Sequence, residues 1–139
     1  MNQDNSNNNQ SIHFDIDSGV QQHLGFNIEI LVGEGSRISL DVNPTHLNRQ
    51  GQVHGGIISL LLDVSMGYAC SGKISNDAKV PFTTLSMSTN FLSPATTGQL
   101  IATGKVIGGG YKILFADAQL STPDGTLIAT SNGTMKRAG

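Results

Sequence analysis

The sequence predicts an α+β fold in which a roughly six-stranded antiparallel sheet wraps around one long central helix. Three observations predict it. Apolar and polar residues alternate over several segments of strand length, the pattern of a sheet with one buried face. One longer stretch, Gly55 to Cys70, is apolar without alternating. Short Gly- and Pro-containing turns join the later strands, which makes neighbours antiparallel. Wrapping the sheet around the helix buries both together.

Residues 1–11 are almost entirely Asn, Gln, Ser and Asp, have nothing to bury, and are expected to be disordered. Residues 12–139 are expected to form a single domain, which suits a chain of 139 residues. Up to about Gly25 the pattern is weak, with a short helix or turn around Val20 and Leu24. Phe26, Ile28, Ile30 and Val32 then alternate with Asn27, Glu29 and Leu31 as a first strand, and Gly33-Glu34-Gly35 reads as a hairpin turn. Ile38, Leu40 and Val42 mark a second strand, ended by Asn43-Pro44, and residues 44–53 form a polar loop.

Between Gly55 and Cys70 the apolar residues point to nearly every side of a helix, so the helix is expected to be buried all round. Ser71-Gly72 supplies its stop. Four strands follow, over residues 81–92, 99–107, 111–121 and 126–136. In the first of them Leu85, Met87 and Phe91 share a face, and Pro123-Asp124-Gly125 turns the last two into a hairpin.

The composition excludes several functions. Net charge is −2, only 13% of residues are charged, and the Lys and Arg residues are scattered singly. Neither a nucleic-acid surface nor a polybasic membrane patch is expected. The apolar run near Ile57 to Val64 is far shorter than a membrane span, and no secretory signal is readable at the N-terminus. A soluble, cytoplasmic protein is expected. The single Cys70 reads as a packed thiol, and with His13, His23, His46 and His54 dispersed no metal site is expected.

Asp63 is the most informative residue. It stands mid-helix among Leu60, Leu61, Leu62, Val64 and Met66, where a carboxylate is costly unless paired or used. It either bonds a neighbouring loop and fixes packing, or it does chemistry. A second signal is the start of the helix, Val53-His54-Gly55-Gly56, which lacks the Ser, Thr, Asp or Asn that normally accepts the free N–H groups. Bare N–H groups at the positive end of a helix suit a carbonyl oxygen becoming an oxyanion. The alternative is a cap from water or from a loop residue such as Asn48, with the glycines there for packing. Asp63 follows Gly55 by eight residues, about 12 Å along a helix, and cannot reach an atom held at its own helix start. A second, antiparallel copy of the helix would supply it, so joint use of the two signals implies a two-fold dimer.

The run Asn48-x5-His54-Gly55-Gly56-x6-Asp63, with a later strand ending Phe91-Leu92-Ser93-Pro94, strongly resembles the PaaI-like branch of hot-dog-fold thioesterases. The resemblance extends from about residue 25 to the C-terminus. It implies hydrolysis of an acyl- or aryl-coenzyme A (CoA) to the free acid and CoA, with no cofactor beyond the CoA of the substrate. By this resemblance Gly55 donates its N–H to the thioester carbonyl. Asp63 of a partner subunit acts as general base on water or as a nucleophile. Asn48 and His54 orient water or thioester, and Thr84 sits near the attacking water. Gly56, Gly109, Gly110 and Lys112 are expected to contact substrate, Lys112 meeting a phosphate unless it is only a solvated turn residue. The family commonly forms homodimers that pair into homotetramers.

Two other functions compete. A hot-dog hydratase or dehydratase also places a His and an acid near a helix start, but the His abutting the glycine pair and the Asn spacing favour the thioesterase branch. A non-catalytic acyl-CoA-binding module usually carries an output domain, for which the chain has no room. No motif encodes the acyl group; Leu62, Met66, Tyr68, Phe82 and Met87 are candidates for the wall of its pocket.

Overall fold

The alternation read from the sequence becomes strands with one buried face. A computed structural model describes residues 11–14 and 18–138. In chain order the elements are β1 (Ser11–Phe14), α1 (Gly19–Leu24), β2 (Asn27–Leu31), β3 (Gly35–Asp41), a 3-10 turn (Pro44–His46), α2 (Gly55–Ile74), β4 (Phe82–Phe91), β5 (Gln99–Gly109), β6 (Ile113–Ser121) and β7 (Leu127–Arg137). The strands form one sheet in the order β1-β2-β3-β5-β6-β7-β4, with every neighbouring pair antiparallel. Ile28, Ile30, Ile38, Leu40, Leu100, Ala102, Leu114, Ala116 and Met135 turn inward against α2.

Among the described residues the sheet has seven strands rather than six. The additional one, β1, pairs with β2 through Ile12 opposite Ile30 and places His13 3.5 Å from Glu29. Four residues without a flanking turn signal give no periodicity to read, and only the β2 edge makes them a strand. The expected disorder of residues 1–11 falls, apart from Ser11, outside the described residues. The short helix around Val20 and Leu24 is α1, capped by Ser18 and closed by Gly25 at φ 84°.

Helix α2 departs from expectation twice. Ser71-Gly72 does not stop it. The Ser71 hydroxyl donates to the Val80 carbonyl at 2.6 Å, and a Cβ on Gly72 would come within 2.7 Å of the Ile30 side chain. Those two residues are small so that the helix can lie close to β2 and the following loop, and it runs on to Ile74. Nor is α2 buried all round. Ile58, Leu61, Leu62, Ser65, Met66, Ala69 and Cys70 are buried, whereas Ile57, Leu60, Val64, Gly67 and Tyr68 form a half-open stripe at helical spacing. By length and apolarity α2 is also long enough to cross a membrane, but here half of it is buried as the core helix.

Edge strand β4 carries a register shift between Thr84 and Ser86. A bulge of this kind inverts the in–out alternation on either side of it. Thr84 upstream and Met87, Thr89 and Phe91 downstream therefore share the side facing α2. Leu85, expected on the face of Met87 and Phe91, instead sits in the bulge and is 54% exposed.

Candidate active site

The start of α2 is built by the loop before it. Leu47 and Val53 pair as an isolated bridge, and the Asn48 N–H donates to Gln52 at 2.7 Å. The Asn48 side-chain oxygen accepts from the N–H groups of Gln50 (2.9 Å) and Gln52 (3.1 Å). Asn48 thus caps its own turn rather than the helix. With the oxygen occupied, its amide nitrogen is the group left to meet another molecule, as a donor.

His46 locks the same loop. Its Nδ1 accepts from the Asn43 N–H at 3.0 Å, so Nε2 carries the proton and donates to the Leu24 carbonyl at 2.9 Å. The His46 carbonyl accepts the His54 N–H at 2.9 Å. At 1% exposure, this histidine is buried and saturated. Dispersed histidines gave no sequence signal for it, because its partners are all backbone atoms.

The helix cap is His54 itself. Its Nδ1 accepts from the Gly56 N–H at 2.9 Å, and its carbonyl accepts from Ile57 (2.9 Å) and Ile58 (3.2 Å). The expectation of an uncapped helix is corrected at Gly56, whose N–H is taken. A Cβ on Gly56 would stand 3.1 Å from His54 Nδ1, so this glycine makes room for the cap. The Gly55 N–H, by contrast, has no acceptor among the described residues. The ring of Phe91 lies beside Gly55, 3.5 Å from where a Cβ would be. With Nδ1 accepting, the exposed Nε2 of His54 is a second donor at this end of α2. His54→Ala is expected to lower stability by about 1 kcal/mol through loss of the cap, and His54→Asn to restore most of it, read by thermal melting.

Asp63 lies two turns further along. It is half-buried and accepts a 2.5 Å hydrogen bond from the Thr84 hydroxyl on β4. Its partner is a strand residue rather than a loop, and it is the β4 bulge that turns Thr84 toward it. Both residues line a cavity of about 570 Å³ with Val64, Gly67, Tyr68 and Phe82. Of the candidate pocket residues, Tyr68 and Phe82 reach this cavity, Met87 is half-buried, and Leu62 and Met66 are fully buried in the core.

The structure therefore places the expected residues in three groups. Asn48, His54, Gly55 and Gly56 stand at the helix start, and Asp63 with Thr84 lies about 12 Å along it. Gly109, Gly110 and Lys112 occupy the β5–β6 hairpin. The Gly110 N–H donates to Ile113 at 2.8 Å, and Gly109 has φ 116° where a Cβ would strike the Ile113 carbonyl, so this glycine is required by the turn. Cys70 is fully buried, and burial pushes its thiol up to about 12, which leaves it protonated and inert. Among the described residues no three His, Cys, Asp or Glu side chains are grouped to hold a metal ion.

The sequence model of the family described as Thioesterase superfamily matches residues 50–129, a stretch that includes Gly55, Asp63 and Thr84. A Pseudomonas aeruginosa protein named as an esterase, PA0474, is 30% identical over 97 residues, covering 69% of this chain and 70% of that protein. Among solved structures, conserved protein PA5202 of Pseudomonas aeruginosa is 26% identical with a TM-score of 0.79, covering 89% of this chain and 97% of its own. The E. coli PaaI protein of the phenylacetic acid degradation operon is 25% identical with a TM-score of 0.78, covering 88% and 86%.

Proposed function

The chain belongs to the thioesterase superfamily with a PaaI-like hot-dog fold, and from that membership we propose that it hydrolyses acyl- or aryl-CoA at sites shared between two subunits. The observation that carries the reading is the Gly55 N–H, the donor at the start of α2 left without an acceptor among the described residues, beside a neighbour, Gly56, that is already capped. A thioester carbonyl placed there gains negative charge in the transition state, where a preorganised N–H and the helix dipole favour it. The Asn48 amide nitrogen and the His54 Nε2–H are further donors supplied by the loop before α2.

Asp63 of the second subunit takes a proton from water, whose oxygen forms the new bond to the carbonyl carbon. The C–S bond then breaks, and the proton returns to the departing thiolate. Thr84 holds Asp63 by donating to one carboxylate oxygen, which leaves the other oxygen for the water. Two features support a dimer. The half-open stripe of α2 needs cover, and β4 is a ten-residue edge strand whose outer backbone groups are unpaired within the sheet. Exposed Ile107 and Phe115 on the sheet offer a contact for pairing dimers into a tetramer.

A panel of acyl- and aryl-CoA substrates, followed with a thiol-reporting dye, tests the reading. Release of free CoA with formation of the acid is the expected result. Hydration of an enoyl-CoA with the thioester left intact, or no thiol released from any member of the panel, would sink it.

A further inference from the structure

Four glycines stand in α2. Gly55 opens the helix with its bare N–H, Gly56 makes room for the His54 cap, and a Cβ on Gly72 would come within 2.7 Å of Ile30. Gly67 has no such reason to lack a side chain. A Cβ there would meet nothing within 4 Å, and its φ is not positive, so alanine would fit the backbone. Glycine inside a helix costs stability relative to alanine, because it has more backbone freedom to lose. The space beside Gly67 is therefore kept open at a cost that packing within the chain does not explain.

That space belongs to the Asp63 cavity, which Gly67 lines. Gly67 follows Asp63 by four residues, so it shares the face of the carboxylate about 6 Å further along the axis. In the shared-site dimer Asp63 stands across from Gly55 of the second subunit. Residue 67 is then level with residue 51, which precedes the start of that helix, so close packing of helix on helix does not account for the glycine either. Around Gly67 the cavity is mostly apolar, with Val64, Ala78, Val80, Pro81 and Phe82 in its wall. The loop after α2 holds its part of the wall still. The Asp77 carboxylate accepts from the Ser75 hydroxyl (2.9 Å) and the Lys79 N–H (3.0 Å), and buried Ala78 is fixed at φ 54°. A wall held in a strained conformation does not yield readily to a larger ligand.

We propose that Gly67 is a specificity-determining residue, its missing side chain leaving passage for the acyl group of the substrate from the carbonyl along α2. An apolar wall suits hydrocarbon and would leave the amides of a pantetheine arm without partners. The substrate class is therefore an acyl group larger than acetyl and apolar next to its carbonyl. The assignment rests on the thioesterase reading for the thioester itself.

Thiol release from acetyl-, hexanoyl- and benzoyl-CoA by wild type, Gly67→Ala and Gly67→Leu tests it. Wild type is expected to favour at least one of the two larger esters. Gly67→Ala is expected to lower the kcat/KM ratio of that ester over acetyl-CoA by about tenfold, and Gly67→Leu by more, as added methyl groups in a fitted pocket do. The melting temperature of Gly67→Ala is expected at or above that of wild type. An equal loss on all three esters places residue 67 against the pantetheine arm and overturns the proposal. Dissociation of the Gly67→Ala oligomer in sedimentation makes the glycine an interface residue and overturns it too, as does a wild type that favours acetyl-CoA over both larger esters. Calorimetric titration of the same esters into Asp63→Asn, with and without Gly67→Ala, reads the pocket independently of turnover. Binding that loses its preference for the larger ester with Gly67→Ala, in a wild type that releases no thiol, defeats only the hydrolase. Hydrolysis whose ratio stays within twofold in both Gly67 variants defeats only the role of Gly67.

Discussion

Asp63→Asn is expected to give a folded protein whose kcat on an acyl-CoA falls by about 10²- to 10⁴-fold, the usual contribution of a general base. Asparagine has nearly the volume of aspartate, and its side-chain oxygen still accepts the Thr84 hydroxyl. Packing and the α2–β4 contact are therefore kept, while the capacity to take a proton from water is lost. In free energy the loss is about 3 to 5 kcal/mol of transition-state stabilisation, with KM little changed. A thermal melt beside the kinetics distinguishes the outcomes. Wild-type turnover in a folded variant removes Asp63 from the chemistry, and a collapsed melting temperature makes it a packing residue.

Gly55→Pro is expected to lower kcat by about 10²- to 10³-fold, as loss of one oxyanion donor does. Proline deletes the N–H and is favoured at the first helical position, where that group has no intrahelical partner. The preceding His54 already has φ −59° and ψ 135°, the conformation a following proline demands. A Cβ at residue 55 would meet only the Phe91 ring, at ordinary contact distance.

The informative experiment mixes this variant with Asp63→Asn after joint refolding. If every site takes Gly55 from one subunit and Asp63 from the other, each mixed dimer has one intact site and one doubly defective site. Random pairing makes half the dimers mixed, so activity returns to about a quarter of wild type from near zero. A mixture no more active than its two components places both groups of any site in one chain and defeats the shared-site dimer.

How much of this was legible differs by residue. Asp63 announced itself because a carboxylate among leucines has few reasons to be there. Gly55 was legible from its missing side chain, yet the residues themselves did not distinguish it from Gly56, and only family likeness singled it out. The physical difference is the His54 ring, folded back onto the Gly56 N–H. Thr84 was placed by family likeness alone. Its orientation depends on a one-residue register slip in β4, which leaves no periodic trace.

The sequence by itself determined the α+β class, the positions of the long helix and of six of the seven described strands to within a few residues, and the presence of an acid inside an apolar helix. Those properties follow from periodicity and from the cost of burying charge, both of which act over a few neighbouring residues. The tertiary structure alone decided which face of α2 stays half-open, which helix-start N–H stays unpaired among the described residues, and which strand residue meets Asp63. Each of these depends on where strands distant in sequence lie against one another, and a change of one residue in register sends a side chain to the opposite face.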